Sequence, residues 1–194
     1  ANFCINSLTQ TIEIFDLPNF TLTPTDVLCY GESTGELVAV AVPPAASPWT
    51  LSIDGGTPQA SVTFGGLAAG TYDITAFDAN GCEFTVSGTV DQPSDTLGIQ
   101  LNNIENILCH GAATGVINIS GTGGTAPYTY GIDGNPAQPF GGFSGLDAGD
   151  HDIQITDFNS CVFDTTITLT EPDTLVLALV SSNDLLCNGD NSGN

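Results

Sequence analysis

The chain contains no lysine, no arginine and no methionine among its 194 residues. Its 22 aspartates and glutamates therefore stand unopposed, for a formal net charge of −22. Nucleic-acid binding depends on cations that displace condensed counterions, so this composition excludes it. Docking on an anionic membrane surface is excluded for the same reason. Long apolar runs are missing too: none reaches the roughly 18 residues a spanning helix needs, and direct membrane insertion is not expected. Residues Ala1 to Cys4 lack a basic n-region, so a secretion signal reads as absent or already removed. No stretch of ten or more residues combines helical spacing with a cap, while Gly (23) and Pro (11) are dense. There is no Gly-x-Ser-x-Gly elbow, no His-Glu-x-x-His and no phosphate loop, so the chain reads as a non-enzyme. A paired-carboxylate glycosidase would need a cleft that a narrow sandwich of this size rarely offers.

What is present is order. Hydrophobic residues make up 41% of the chain, enough to build a core and too many for a disordered acidic tail. Six cysteines fall into two interleaved series. Cys4, Cys82 and Cys161 are 78 and 79 residues apart, and Cys29, Cys109 and Cys187 are 80 and 78 apart. One shared spacing of about 79 residues means an internal repeat. Its head reads Leu28-Cys29-Tyr30-Gly31 with Gly35, then Leu108-Cys109-His110-Gly111 with Gly115, then Leu186-Cys187-Asn188-Gly189 with Gly193. Short β-branched runs follow, Glu36 to Val42 and Val116 to Ser120. Next come Pro48-Trp49-Thr50-Leu51-Ser52-Ile53-Asp54-Gly55 and Pro127-Tyr128-Thr129-Tyr130-Gly131-Ile132-Asp133-Gly134, whose Asp-Gly endings mark turns.

The penultimate strands, Tyr72 to Phe77 and His151 to Thr156, alternate apolar and polar residues, which puts one side on a core and the other in water. Asp78-Ala79-Asn80-Gly81-Cys82 and Asp157-Phe158-Asn159-Ser160-Cys161 then turn the chain into a last strand. The Asn-Gly pair predicts a hairpin with positive φ at both turn positions. Leu17-Pro18, Gln92-Pro93 and Glu171-Pro172 close the strands, because proline cannot donate to a ladder. The pattern predicts an all-β chain of tandem immunoglobulin- or fibronectin-III-like β-sandwiches, about seven short strands each. Residues 1–18 would be the last strand of a preceding repeat, 19–93 the first sandwich, 94–172 the second, and 173–194 the start of another. Leu67-x-x-Gly70-x-Tyr72 looks like the corner before the penultimate strand, where a Tyr hydroxyl bonds back to the backbone. The second copy has His151 there instead.

Together the Cys-x-Gly-x-x-x-Gly head, Gly123-Gly124-x-x-Pro127-Tyr128-x-Tyr130, the Leu-x-x-Gly-x-Tyr corner and Asp-x-Asn-Gly-Cys resemble the SprB repeat of Bacteroidota cell-surface adhesins, including gliding-motility adhesins. The second copy departs from the pattern at Ser160 and the first at Trp49. The resemblance implies long extracellular filaments of tandem sandwiches at the cell surface, exported by type IX secretion. Their partners would be adjacent repeats, with surfaces or polysaccharide met through other parts of the protein. On this reading the segment is a structural spacer in a filament shaft. The alternative is a carbohydrate- or surface-binding module, with Trp49, Tyr128 and Tyr130 stacking on sugars.

In an exported chain the cysteines read as disulfides. Pairing within a repeat would give Cys29–Cys82 and Cys109–Cys161. In an immunoglobulin-type sandwich, however, those turns lie at opposite ends, about 25 Å apart at 3.3 Å per strand residue, while a disulfide needs Cα atoms about 4.4–6.8 Å apart. End-to-end stacking would instead favour Cys29–Cys161, leaving Cys4, Cys82, Cys109 and Cys187 to partners outside the segment. Both alternatives stay open at this point. No cofactor is expected. Calcium is the candidate metal, with Asp78, Asn80, Asp157 and Asn159 as oxygen ligands, against a plain Asx turn at the same residues. Asp-Thr-Leu at 95–97 and 173–175 and Asp-Thr-Thr at 164–166 resemble Bacteroidota O-glycosylation acceptors, with Thr96, Thr165 and Thr174 as the modified residues.

Overall fold

The computed structural model describes residues 19–42 and 49–180, together with Gln10. Cys4, Cys187, Pro18 and Pro48 lie outside the described residues, as do residues 181–194 and most of 1–18. Twelve strands and no helix occur among the described residues. The first six are β1 (Phe20–Thr25), β2 (Gly35–Ala41), β3 (Trp49–Ile53), β4 (Thr63–Leu67), β5 (Gly70–Asp78) and β6 (Glu83–Val90). They form two antiparallel three-stranded sheets, ordered β1-β2-β4 and β3-β5-β6. The next six are β7 (Gly98–Glu105), β8 (Gly115–Thr122), β9 (Thr129–Ile132), β10 (Gly142–Leu146), β11 (Gly149–Thr156) and β12 (Val162–Leu169). They repeat the order as β7-β8-β10 and β9-β11-β12.

Among the described residues each copy thus has six strands where about seven were expected. What remains of the seventh is one isolated pair, Leu51 with Gln59 in the first copy and Tyr130 with Gln138 in the second. Pro58 and Pro139 stand beside those glutamines and lack the N–H that would extend the ladder.

The chain divides into two compact units. One comprises residues 1–98 with 122–126 and 157–161; the other comprises 99–121, 127–156 and 162–194. In the first, alternation sends Leu37, Ala39, Ile74 and Ala76 inward, where they meet Phe20, Val27, Leu51, Phe64 and Val90. Phe20 anchors this core, its ring 5.5 Å from Trp49 and perpendicular to Phe84 at 6.0 Å. In the second, Ile117, Ile119, Ile132, Phe143, Ile153, Ile155 and Leu169 are buried. Full burial of such a side chain stabilises by about 1.5–3 kcal/mol. Tyr130 is buried too, and its hydroxyl accepts a hydrogen bond from the Gly121 amide at 2.9 Å.

The second glycine of each head has a packing reason. A Cβ on Gly35 would sit 2.9 Å from the Leu67 carbonyl oxygen and against Val90; one on Gly115 would sit 2.9 Å from the Leu146 oxygen and against Leu169. The Asp54-Gly55 and Asp133-Gly134 turns carry positive φ at both positions, 47° and 70° in one and 51° and 70° in the other. The two-residue primed geometry expected at Asn80-Gly81 is therefore found at the Asp-Gly pairs instead. After Asp78 only Gly81 is left-handed, and after Asp157 only Ser160.

Candidate functional site

The site is built from two kinds of loop, the cysteine head and the turn before the last strand. In the first head, the Val27 amide donates to the Asp91 carbonyl (2.9 Å) and the Asp91 amide donates to Asp26 Oδ1 (2.9 Å). The turn itself closes from the Glu32 amide to the Cys29 carbonyl at 3.2 Å, with Gly31 at φ 79°. Its Gly31 amide donates to Gln92 Oε1 at 2.8 Å. The second head repeats this frame with other side chains. Ile107 N–H donates to the Thr170 carbonyl (3.0 Å) and Thr170 N–H to Asn106 Oδ1 (3.0 Å). Ala112 N–H closes on Cys109 O (3.0 Å), and Gly111 N–H donates to Glu171 Oε2 (2.6 Å). His110 Nδ1 lies 3.0 Å from the other Glu171 oxygen. Asp26, Asn106, Gln92 and Glu171 are thus the residues that hold the heads, and sequence reasoning passed over them. Their signal was recurrence one repeat apart, at the residue before each closing proline and three before each cysteine.

The turns are Asx-type loops. Asp78 Oδ1 accepts the amides of Asn80 and Cys82, both at 2.8 Å, and the Asn80 side-chain amide lies 3.4 Å from Oδ2. Burial pushes the Asp78 carboxyl up, but the donors from Cys82 and Asn80 outweigh it and hold it below its ordinary value. Asp157 Oδ1 likewise accepts from Asn159 (2.8 Å) and Cys161 (2.9 Å), and its Oδ2 takes the Thr125 amide at 2.8 Å. The residues singled out as calcium ligands, Asp78, Asn80, Asp157 and Asn159, therefore serve these loops. Among the described residues no group of three or more His, Cys, Asp or Glu side chains could hold a metal ion.

Cys29 and Cys161 are joined in a disulfide, with Cα atoms 5.7 Å apart across 132 residues of sequence. Both belong to the first compact unit as the contacts define it. Around the bond, the Asn159 side-chain amide donates to the Leu28 carbonyl (3.0 Å) and to Thr125 Oγ1 (3.1 Å). Phe158 N–H donates to Thr125 O (2.8 Å), and Gly124 N–H donates to Asp95 O (3.0 Å). Of the pairings the sequence left open, Cys29–Cys82 and Cys109–Cys161 are not formed; Cys82 is a half-buried thiol and Cys109 an exposed one. A within-repeat bond would need the head and the turn of one sandwich at the same end, and the head is fixed instead to the residues that follow β6.

The corner before the penultimate strand is present in both copies. Tyr72 Oη donates to the Ala68 carbonyl at 3.0 Å, four residues back. In the second copy His151 Nε2 makes the same contact with the Asp147 carbonyl at 3.1 Å, and Nδ1 faces Asp133 Oδ2 at 2.8 Å. Both partners are acceptors, so both ring nitrogens donate in the imidazolium form. Burial pushes the His151 pKa down, but the bonds to Asp133 and Asp147 and the charges of those residues outweigh it, and it is raised above its ordinary value. Burial likewise pushes Asp133 up, while the His151 contact and the Asp152 amide bring it below its ordinary value.

Of the candidate sugar-stacking aromatics, Tyr130 is buried, Trp49 is half-buried and packs on Phe20, and Tyr128 is half-buried against Gly121. Of the candidate acceptor threonines, Thr96 and Thr174 are exposed and Thr165 is half-buried on β12.

Residues 101–137 match the family described as the SprB repeat, a module of cell-surface proteins, so the resemblance holds over that segment, which carries the Cys109 head and the Pro127-Tyr128-x-Tyr130 motif. No curated protein matches the sequence closely enough to count as a relative. Among solved structures, the chain is similar to the three N-terminal domains of the highly immunogenic outer capsid protein Hoc of bacteriophage RB49. The identity is 10% and the TM-score 0.50, over 79% of this chain and 59% of that one. It is also similar to a C-terminal 282-residue fragment of intimin, solved with the intimin-binding domain of the translocated intimin receptor. There the identity is 14% and the TM-score 0.43, over 78% of this chain and 64% of that one. The chain thus spans about three fifths of the length of each. The likeness to the Hoc domains is one of fold, the immunoglobulin-like sandwich.

Proposed function

We propose that this chain is a load-bearing spacer in the shaft of an extracellular adhesin filament of the SprB type. The observation that carries the reading is the Cys29–Cys161 bond, which encloses 132 residues of sequence in one covalent ring. A pull on the two ends enters along β1, crosses the sulfur–sulfur bond and leaves along β12. Strands β2 to β11 lie inside the ring and off the loaded path. The protein performs no reaction on this reading and needs no cofactor. Its charge of −22 keeps neighbouring shafts and sheet edges apart. Disulfides persist in the oxidising space outside the cell, where such a filament works. Adhesion, and any role in gliding, would belong to the larger protein of which such repeats form the shaft.

The test is to stretch the chain between two handles with and without reductant. At about 3.3–3.6 Å per extended residue, opening the ring releases about 460 Å of chain. The oxidised chain should stop short of the reduced one by that length. Equal final lengths would show that the bond bears no load. Saturable binding of surface polysaccharide, abolished by Trp49→Ala, would favour the binding-module alternative.

A further inference from the structure

The spacer reading accounts for the bonded cysteines and leaves two described thiols, Cys109 and Cys82, unused. Neither stands in an arbitrary place. Cys109 occupies the position in the second head that Cys29 occupies in the first, and the two heads are closed by matching backbone amides, which donate to backbone or side-chain oxygens at corresponding positions. Cys82 occupies the position in the first turn that Cys161 occupies in the second. Asp78 Oδ1 fixes the Cys82 amide at 2.8 Å, as Asp157 Oδ1 fixes that of Cys161 at 2.9 Å. Each unused thiol therefore sits in a frame already formed, whose twin in the same chain is bonded.

The surroundings agree. Leu108, beside Cys109, is 81% exposed, against 51% for Leu28 beside the bonded Cys29. Asn80 matches Asn159, whose side-chain amide caps the Leu28 carbonyl at 3.0 Å. In the first turn that amide makes only a 3.4 Å contact with its own Asp78, a bond it can exchange for a better acceptor at small cost.

We propose that Cys109 and Cys82 are complementary docking halves for a further copy of this repeat. The head around Cys109 takes the turn of the copy that follows, and the turn around Cys82 takes the head of the copy that precedes. This rests on the spacer reading and gives it a rule, that each head bonds to the turn of the next repeat in sequence. With isolated chains the further copy is a second molecule, and the product is a linear head-to-turn series. In the bond-forming step the Cys109 thiolate attacks oxidised glutathione and releases one glutathione. The Cys82 thiolate of the other molecule then displaces the second glutathione from the mixed disulfide. Two thiols lose two protons and two electrons to form one sulfur–sulfur bond, and one glutathione disulfide becomes two thiols.

The experiment uses the full chain with Cys4→Ser and Cys187→Ser, so that only Cys82 and Cys109 remain outside the Cys29–Cys161 bond. Two variants of it, one with Cys109→Ser and one with Cys82→Ser, are mixed in equal amounts in a buffer of oxidised and reduced glutathione. Covalent dimers are sorted by mass and their bridges mapped without reduction. The Cys109–Cys82 heterodimer should exceed each homodimer at least about tenfold, which is about fivefold over the statistical ratio and a preference of about 1 kcal/mol. Asn80→Ala, which leaves the two backbone-amide bonds to Asp78 Oδ1 in place, should reduce that excess several-fold. A statistical mixture, in which the heterodimer is only about twice each homodimer, would overturn the proposal, and so would the absence of any heterodimer. The chain stretched between handles separates the two claims. If its oxidised length still falls short by about 460 Å, the spacer reading survives the failure of this one.

Discussion

The second sandwich should gain stability from mild base to mild acid through His151, a contribution the first sandwich lacks. The perturbation is a change from pH 5 to pH 8.5, with His151→Tyr as the control. His151 donates from Nδ1 to Asp133 Oδ2 at 2.8 Å and from Nε2 to Asp147 O at 3.1 Å. Its folded pKa is raised, so its stabilisation is complete below the unfolded value near 6.5 and disappears as pH rises through the raised folded value. Asp133 is shifted the other way, so its share is complete above about 3.8 and lost as pH falls through the lowered folded value. The pair is therefore at full strength between those limits. A charge-assisted hydrogen bond contributes about 1.5–3 kcal/mol. The Asp133 side chain is 41% exposed, so screening by water brings this to about 1 kcal/mol. For a unit of this size that corresponds to about 4–8 °C in thermal midpoint. Acid also relieves the general repulsion among the carboxylates, so the informative quantity is a difference of differences. Calorimetric midpoints at the two pH values are compared between the wild-type chain and His151→Tyr, which keeps the corner bond as Tyr72 does and removes the titrating group. If His151→Tyr loses as much between pH 5 and pH 8.5 as the wild type, the His151–Asp133 contact is not the source and the reasoning is refuted.

Other consequences are simpler to read. Ser160 holds φ 68° where the first copy has Gly81 at 84°, so Ser160→Gly should stabilise by up to about 1 kcal/mol and Gly81→Ser should cost a similar amount; opposite signs in chemical denaturation would contradict the strain argument. Gly115→Ala would press a methyl group on the Leu146 carbonyl at 2.9 Å and on Leu169, costing about 1–3 kcal/mol in denaturant unfolding. With Asp78 and Asp157 engaged by backbone amides, neither calcium nor a chelator should move the melting midpoint by more than about 1 °C, and a larger rise with calcium would reinstate those residues as ligands.

Much of the sandwich was legible because its signals are local. Alternation in Tyr72–Phe77 and His151–Thr156 identified strands whose inward residues are Ile74 and Ala76, and His151, Ile153 and Ile155. The two glycines of the head recur one repeat on, and the structure puts Gly31 in a left-handed turn and Gly35 at a crowded strand start. What was not legible depends on side chains meeting backbone far along the chain. Nothing local to Gln92 or Glu171 says that its carbonyl or carboxylate oxygen will receive a glycine amide about 60 residues earlier. The Asn80-Gly81 pair misled because a carboxylate two residues before Asn80 reorganised the turn, drawing two amides to one oxygen. His151 looked like a lapse in the corner motif, yet an imidazole nitrogen reaches the same carbonyl distance as a phenol oxygen. The cysteine pairing stayed open because spacing gives the period and says nothing about which ends of two sandwiches share a bridge.

The reach of the Cys29–Cys161 link has a consequence for damage. A protease that nicks the backbone anywhere between those residues cuts a closed loop, so both fragments remain tethered and the strand survives the wound. The link spans 132 residues while the cysteine series recur after about 79, so successive links of the same kind would interlock like the laid yarns of a rope. No single cleavage within such a stretch could sever it.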